Sequence, residues 1–136
     1  MIMTHGEHVI DFVQKLISDK IGFDNPLGMG VMSDNGEMLL GVVLDNYRVE
    51  SNSICASIAI IDKKVLTKSI IKALFHTAFI KIGVERITCM IESDNVKSNN
   101  LTDRLGFVKE GVMRKASFNK KDLIVYGMLK SECKWI

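Results

Sequence analysis

The stretch IGVERITCMIESDNVKSNNLTDRLGFVKEGVMR, from Ile82 to Arg114, changes character several times along its length. It opens on Arg86-Ile87-Thr88-Cys89-Met90-Ile91, where β-branched residues are frequent and the run is too short for a buried helix, so it reads as a strand. Glu92-Ser93-Asp94-Asn95 breaks that run, and a short helical segment follows, ending at Leu105-Gly106. Gly106 stands where a helix stop takes a positive φ, Phe107 follows as an apolar clamp, and a new strand begins at Val108. The order is strand, turn, short helix, glycine stop, strand.

The residues upstream supply the other half of a unit. Ile70, Ile71, Leu74, Phe75, Ala78, Phe79 and Ile82 form the stripe of a long amphipathic helix, and Ile54-Cys55-Ala56-Ser57-Ile58-Ala59-Ile60-Ile61 before it reads as a strand. Strand, loop, helix and strand make a crossover, so the strands at 54–61 and 86–91 are expected to be parallel. Nearer the start, 28–32 and 37–47 flank Ser33-Asp34-Asn35-Gly36, a hairpin signal whose favoured turn needs positive φ at both Asn35 and Gly36. Val9, Phe12, Val13, Leu16, Ile17 and Ile21 recur at helical spacing and predict a helix over 7–20, stopped by Gly22 and Pro26. Ahead of it only Ile2-Met3 has strand character, so a first strand is short or missing. At the far end, 112–118 and 123–129 flank Asn119-Lys120-Lys121-Asp122 as a closing hairpin. The expected class is α+β: one domain over 1–136, a mixed central sheet, and helices on both faces.

Composition narrows the function classes. A length of 136 residues, 47% hydrophobic and 25% charged, fits one globular domain. A net charge of +2 without aromatic and basic residues interleaved argues against nucleic acid, and no apolar run approaches the roughly 20 residues that span a bilayer. The first residues lack the regions of a signal peptide, and three cysteines, an odd number, point to reduced thiols in a cytoplasmic setting. His5, His8 and His76 have no second ligand at metal-like spacing, so no metal site is expected; Tyr126 and Trp135 read as packing residues.

Asn95, Ser98, Leu101, Leu105, Gly106, Phe107, Glu110, Gly111 and Arg114 together resemble the second half of the acyl-CoA-binding core of the GCN5-related N-acetyltransferases. Within that family the chain looks most like the ribosomal-protein-acetyltransferase-like branch, in its small phage and prophage versions, over about residues 28–135. The resemblance implies a splayed parallel strand pair that admits acetyl-CoA as cosubstrate. It implies backbone contacts from Ser57, Ile58, Ala59, Ile60 and Ile61 to the pantetheine arm, a side-chain contact from Asn95, and Ser98 and Arg104 nearby. Asn95 is equally suited to capping the short helix, and the two roles are compatible.

The diphosphate is expected at the start of the long helix, through Lys64, Val65, Leu66, Thr67, Lys68 and Ser69. A helix N-terminus offers unpaired amides, Thr67 is a plausible N-cap, and Lys63, Lys64 and Lys68 add positive charge. The family's loop pattern, Gln/Arg-x-x-Gly-x-Gly/Ala, falls on Asp62, Val65 and Thr67, so its first residue and both glycines are replaced. Val65 is stiff where a glycine would let the backbone approach a phosphate. Val65-Leu66-Thr67-Lys68 does resemble the aromatic-Leu-Thr/Ser-Arg sequence of phage-type relatives.

Amide formation from a thioester needs a neutral amine, an oxyanion donor and a proton for the thiolate. The family's acid, a Tyr, falls on Thr102, which is too weak an acid to replace it. Tyr47 is a substitute candidate or an edge aromatic, and Glu92 is a candidate base or a solvated carboxylate. The expected activity is acetyl transfer to a primary amine, a protein N-terminus or a small amine. The alternative is an inactive binding or virion-associated module of the same fold, with Val65 or Leu66 plugging the opening. Homodimers are frequent among relatives, and a homodimer is an expectation here.

Overall fold

The computed structural model describes residues 1–18 and 20–136. A seven-stranded sheet runs in the order β1-β2-β3-β4-β5-β7-β6. Its members are β1 (Ile2–His5), β2 (Leu27–Met32), β3 (Met38–Arg48), β4 (Ser53–Ile60), β5 (Arg86–Glu92), β6 (Val108–Met113) and β7 (Leu123–Leu129). Every neighbouring pair is antiparallel except β4 and β5, which are joined by the expected crossover. The α+β class, the mixed sheet and the parallel pair all match the sequence reading.

Alternation along the strands assigns the two faces. Leu40, Val42, Leu44 and Ile54 point into one core beneath α2 (Lys68–His76), with Phe79 fully buried and Phe75 and Phe107 at 6.1 Å between ring centroids. Val43 and Ala59 point the other way and pack on Val9 and Val13 of α1 (Glu7–Ile17). Each large side chain fully buried in these layers contributes about 1.5–3 kcal/mol. The helix α3 (Val96–Leu105) lies on the α2 side, through Leu105 against the larger core, and stops at Gly106 with φ 105°.

Several boundaries differ from expectation, each for a local reason. Strand β1 exists and runs through His5, paired to β2 from Ile2↔Met32 to His5↔Met29. Helix α1 stops at Ile17 because Ser18 is extended and Gln14 folds its amide onto the Ser18 carbonyl at 2.6 Å; residue 19 of the expected helix lies outside the described residues. The β2–β3 turn puts only Gly36 at positive φ, 84°, and not Asn35. Gly36 N–H closes on Ser33 O at 3.0 Å, and the extra residue is absorbed as a register shift at Met32↔Met38. The long helix continues from α2 as a π-helical turn, Thr77–Ile82, before Gly83. Strand β6 ends at Met113 rather than 118: residues 114–122 form a loop with Lys115 and Lys120 in left-handed conformations, organised around Ser117.

Candidate active site

Pairing between β4 and β5 covers only Ser53↔Arg86, Ile54↔Ile87 and Cys55↔Thr88. Beyond that the strands part. Ile61 N–H donates to Leu39 O at 2.8 Å, and in an antiparallel ladder this fixes which residues face β3: the odd-numbered ones. The peptide groups of Ala56, Ile58 and Ile60 therefore turn toward β5, where the partner strand has left. On β5 the Lys130–Glu85 bond at 2.9 Å sets the same alternation, so Met90 and Glu92 turn their backbone toward β4.

The start of α3 props the gap open. Glu92 O accepts the Asn95 N–H at 3.0 Å and the Asn99 Nδ2 at 3.0 Å. Asn99 also donates to Asn95 O at 2.8 Å and accepts the Tyr126 hydroxyl at 2.7 Å, while Asn95 Oδ1 caps Ser98 N–H at 3.2 Å. Buried Tyr126 is more than a packing residue, and burial pushes its phenol pKa up. Asn99 was missed in the sequence. The signal was present: an Asn inside a helix is a poor former unless its side chain has partners.

Two spaces meet at Ala56, Ser57, Ile58, Cys89 and Thr102, one on each side of the gap. The first is an apolar cavity of about 80 Å³ beneath α2, walled in part by Leu66 and Phe107. The second is an open cleft of about 330 Å³, bordered by Ile17 and Ile21, by Met90 and Glu92, by Asn95 and Ser98, and by Ser117 and Phe118 of the β6–β7 loop. Cys89 sits between them, its thiol pushed up to about 12 by desolvation, so it is an inert thiol. The Thr102 hydroxyl donates to Ser98 O at 2.7 Å and is buried.

Of the sequence candidates, Ser57, Ile58, Asn95, Ser98 and Glu92 line the cleft, and Leu66 lines the cavity. The Glu92 carboxylate accepts from Ser117 Oγ at 2.8 Å and from Asn119 Nδ2 at 3.2 and 3.3 Å. A carboxylate has about four acceptor directions, so capacity remains toward the cleft. Tyr47 lies elsewhere, at the end of the sheet where β4 and β5 are still paired, with its hydroxyl on Asn52 Oδ1 at 2.9 Å. Arg104 is exposed in the last turn of α3, outside both spaces.

The turn before α2 is largely self-satisfied. Asp62 accepts Lys64 N–H at 2.9 Å, and a 3₁₀ turn (Lys63–Val65) follows. Leu66 N–H bonds Lys63 O at 3.1 Å, Thr67 N–H bonds Val65 O at 2.8 Å, and Thr67 Oγ1 caps Ile70 N–H at 3.3 Å. That leaves the first-turn amides of Lys68 and Ser69 for an anion, with exposed Lys63, Lys64 and Lys68 around them. Val65, only 2% exposed, has become a core residue in place of a phosphate-binding glycine.

No family model and no curated protein matches this sequence. Solved structures do. A point variant of the spermidine N-acetyltransferase SpeG from Vibrio cholerae superposes with a TM-score of 0.78 at 16% identity, over 100% of this chain and 98% of that one. The manganese complex of SpeG from the same organism gives 0.77 at 18% identity, over 96% and 92%. A probable acetyltransferase gives 0.69 at 23% identity, over 93% of this chain and 72% of the other. The chain has the acetyltransferase fold.

Proposed function

We propose that this chain is an acetyl-CoA-dependent N-acetyltransferase that passes an acetyl group directly to a primary amine. The observation that carries the reading is the row of β4 peptide groups at Ala56, Ile58 and Ile60, turned into a gap that β5 has vacated. Half-buried strand edges left unpaired are templates for pairing, and an extended ligand with amide groups fits this one as a missing strand would. Acetyl-CoA supplies an activated thioester. The Lys68 and Ser69 amides, with the neighbouring lysines, fit the diphosphate, although Asp62 and the internal bonds of the turn make this a weaker anchor than a glycine loop.

On this reading a β4 N–H, at Ala56, Ile58 or Ile60, faces the developing oxyanion. Glu92 is the group that orients the amine and accepts its proton, on the face of the gap opposite α2. Thr102 and Tyr126 both spend their hydroxyls on internal partners, so the thiolate departs without a side-chain acid. An amine is also what the spermidine N-acetyltransferases of the same fold take. The finer resemblance, to small phage-type members of the ribosomal-protein branch, rests on residues 95–114 and on Val65-Leu66-Thr67-Lys68.

Acetyl-CoA at millimolar concentration should raise the melting temperature by mass action, and an amine panel should release free thiol. Absence of any thermal shift would sink the proposal. A second reading, an inactive binding module, is favoured by Leu66 walling a cavity of about 80 Å³ on the α2 side. It predicts no thiol release with any member of an amine panel.

A further inference from the structure

We infer that the acceptor is a small monoamine carried on an apolar body, and not a polyamine. This rests on the acetyl-transfer reading of the cleft. Among the described residues that line it, Glu92 is the single ionised side chain. Around it stand Ile17, Ile21, Met90, Phe118 and Leu123, of which Met90 and Phe118 are 47% and 38% exposed. Large apolar side chains left in the open around one carboxylate form a ligand surface rather than a core.

A chain of several ammonium groups needs a carboxylate for each one that leaves water. Here one is within the cleft. The loop at its rim carries four cations, Arg114, Lys115, Lys120 and Lys121, against one carboxylate, Asp122, whose Oδ1 accepts the Lys115 N–H at 2.9 Å, and Asp94 beside it is paired with Lys121 at 2.5 Å. A second ammonium would meet apolar side chains or a cationic rim. The cleft, about 330 Å³, also has to admit the acyl end of the cosubstrate beside Ala56 and Ile58, which leaves space within it for a compact amine.

The test uses the full chain with acetyl-CoA and three acceptors: phenethylamine, the triamine spermidine, and a hexapeptide with a free amino terminus. Thiol release should show kcat/KM for phenethylamine at least about tenfold above that for spermidine, because like charges and unpaired ammonium groups are penalised together. The Phe118→Asp variant, on an exposed loop, should narrow that ratio by adding a second carboxylate. Methyl NMR of Met90 reports amine binding without turnover and should move with phenethylamine. Spermidine or the hexapeptide used as well as phenethylamine overturns the inference, and so does acetyl-CoA stabilisation with no Met90 response to phenethylamine. No acetyl-CoA stabilisation at all instead removes the acetyl-transfer reading beneath it.

Discussion

Ser117 Oγ donates to Glu92 Oε2 at 2.8 Å, joining the β6–β7 loop to the end of β5. The same oxygen of Ser117 accepts the Asn119 and Lys121 amides at 3.2 and 3.0 Å, so one hydroxyl both folds the loop and fixes the carboxylate. Ser117→Ala should cost about 1.5–3 kcal/mol, the range for a hydrogen bond to a charged group. Hydrogen exchange across 114–122 should accelerate, and acetyl transfer should fall while acetyl-CoA affinity holds. Ser117→Thr should restore both. Unchanged exchange in the alanine variant would refute the role of the hydroxyl in ordering the loop.

Tyr126→Phe leaves Asn99 Oδ1 without its donor and frees Asn99 from the β7 side of the gap. The expected cost is about 1–2 kcal/mol, read from denaturant midpoints. The variant also isolates a pH effect. The folded phenol pKa is raised by burial above its ordinary value of 10.0, so its contribution is intact below that value and is lost as pH climbs through the folded value. Wild type should lose stability above pH 10 more steeply than Tyr126→Phe.

Much of this arrangement was legible in the sequence. The crossover from β4 through α2 to β5 follows from two strand-like runs bracketing a 3.6-period stripe, and Gly106 with Phe107 marks the end of α3. The parting of β4 and β5 is not written in either strand, because it depends on how Asn99 and Asn95 seat α3 on the Glu92 carbonyl. The β6–β7 loop reads as strand through 118, since Ala116 and Phe118 are strand-like in sequence, but Ser117 gathers the chain toward Glu92 instead. Tyr47 is a phenol near the end of the third strand, either a substitute acid or an edge aromatic by sequence, and strand direction puts it at the closed end of the sheet.

The turn before α2 allows a direct contrast of cap and core. Thr67→Ala removes the cap on Ile70 N–H and should cost about 1 kcal/mol, with Thr67→Ser nearly neutral. Val65→Gly, which restores a family glycine, should cost more, about 2–4 kcal/mol, because it empties a core position and loosens the backbone. Asp62→Asn removes a negative charge beside the diphosphate position while keeping an acceptor for Lys64 N–H, and should tighten CoA binding several-fold at low salt and less at high salt. Calorimetric titration with CoA at two ionic strengths decides it.

Arg86 and Glu110 form a two-pronged pair over Gly127, on the sheet face opposite α2 and α3. A Cβ at 127 would come within 2.6 Å of Glu110 Oε2 and 2.7 Å of Arg86 Nη2, so glycine is what lets the pair lie on the strand. The hydrogen bond from Arg86 holds the Glu110 carboxyl below its ordinary 4.5, so the pair stabilises fully above that value and its contribution fades as pH falls through the folded value. With side-chain exposures of 28% and 38%, screening limits the pair to about 0.5–1 kcal/mol. Glu110→Ala should cost that amount at pH 7, and its difference from wild type should shrink as pH falls below 4.5. Gly127→Ala should be destabilising in wild type by displacing both partners, yet neutral or stabilising once Glu110 is alanine, where the β strand gains from losing a glycine. Additive effects in the double-variant cycle would show that Gly127 and the ion pair are independent.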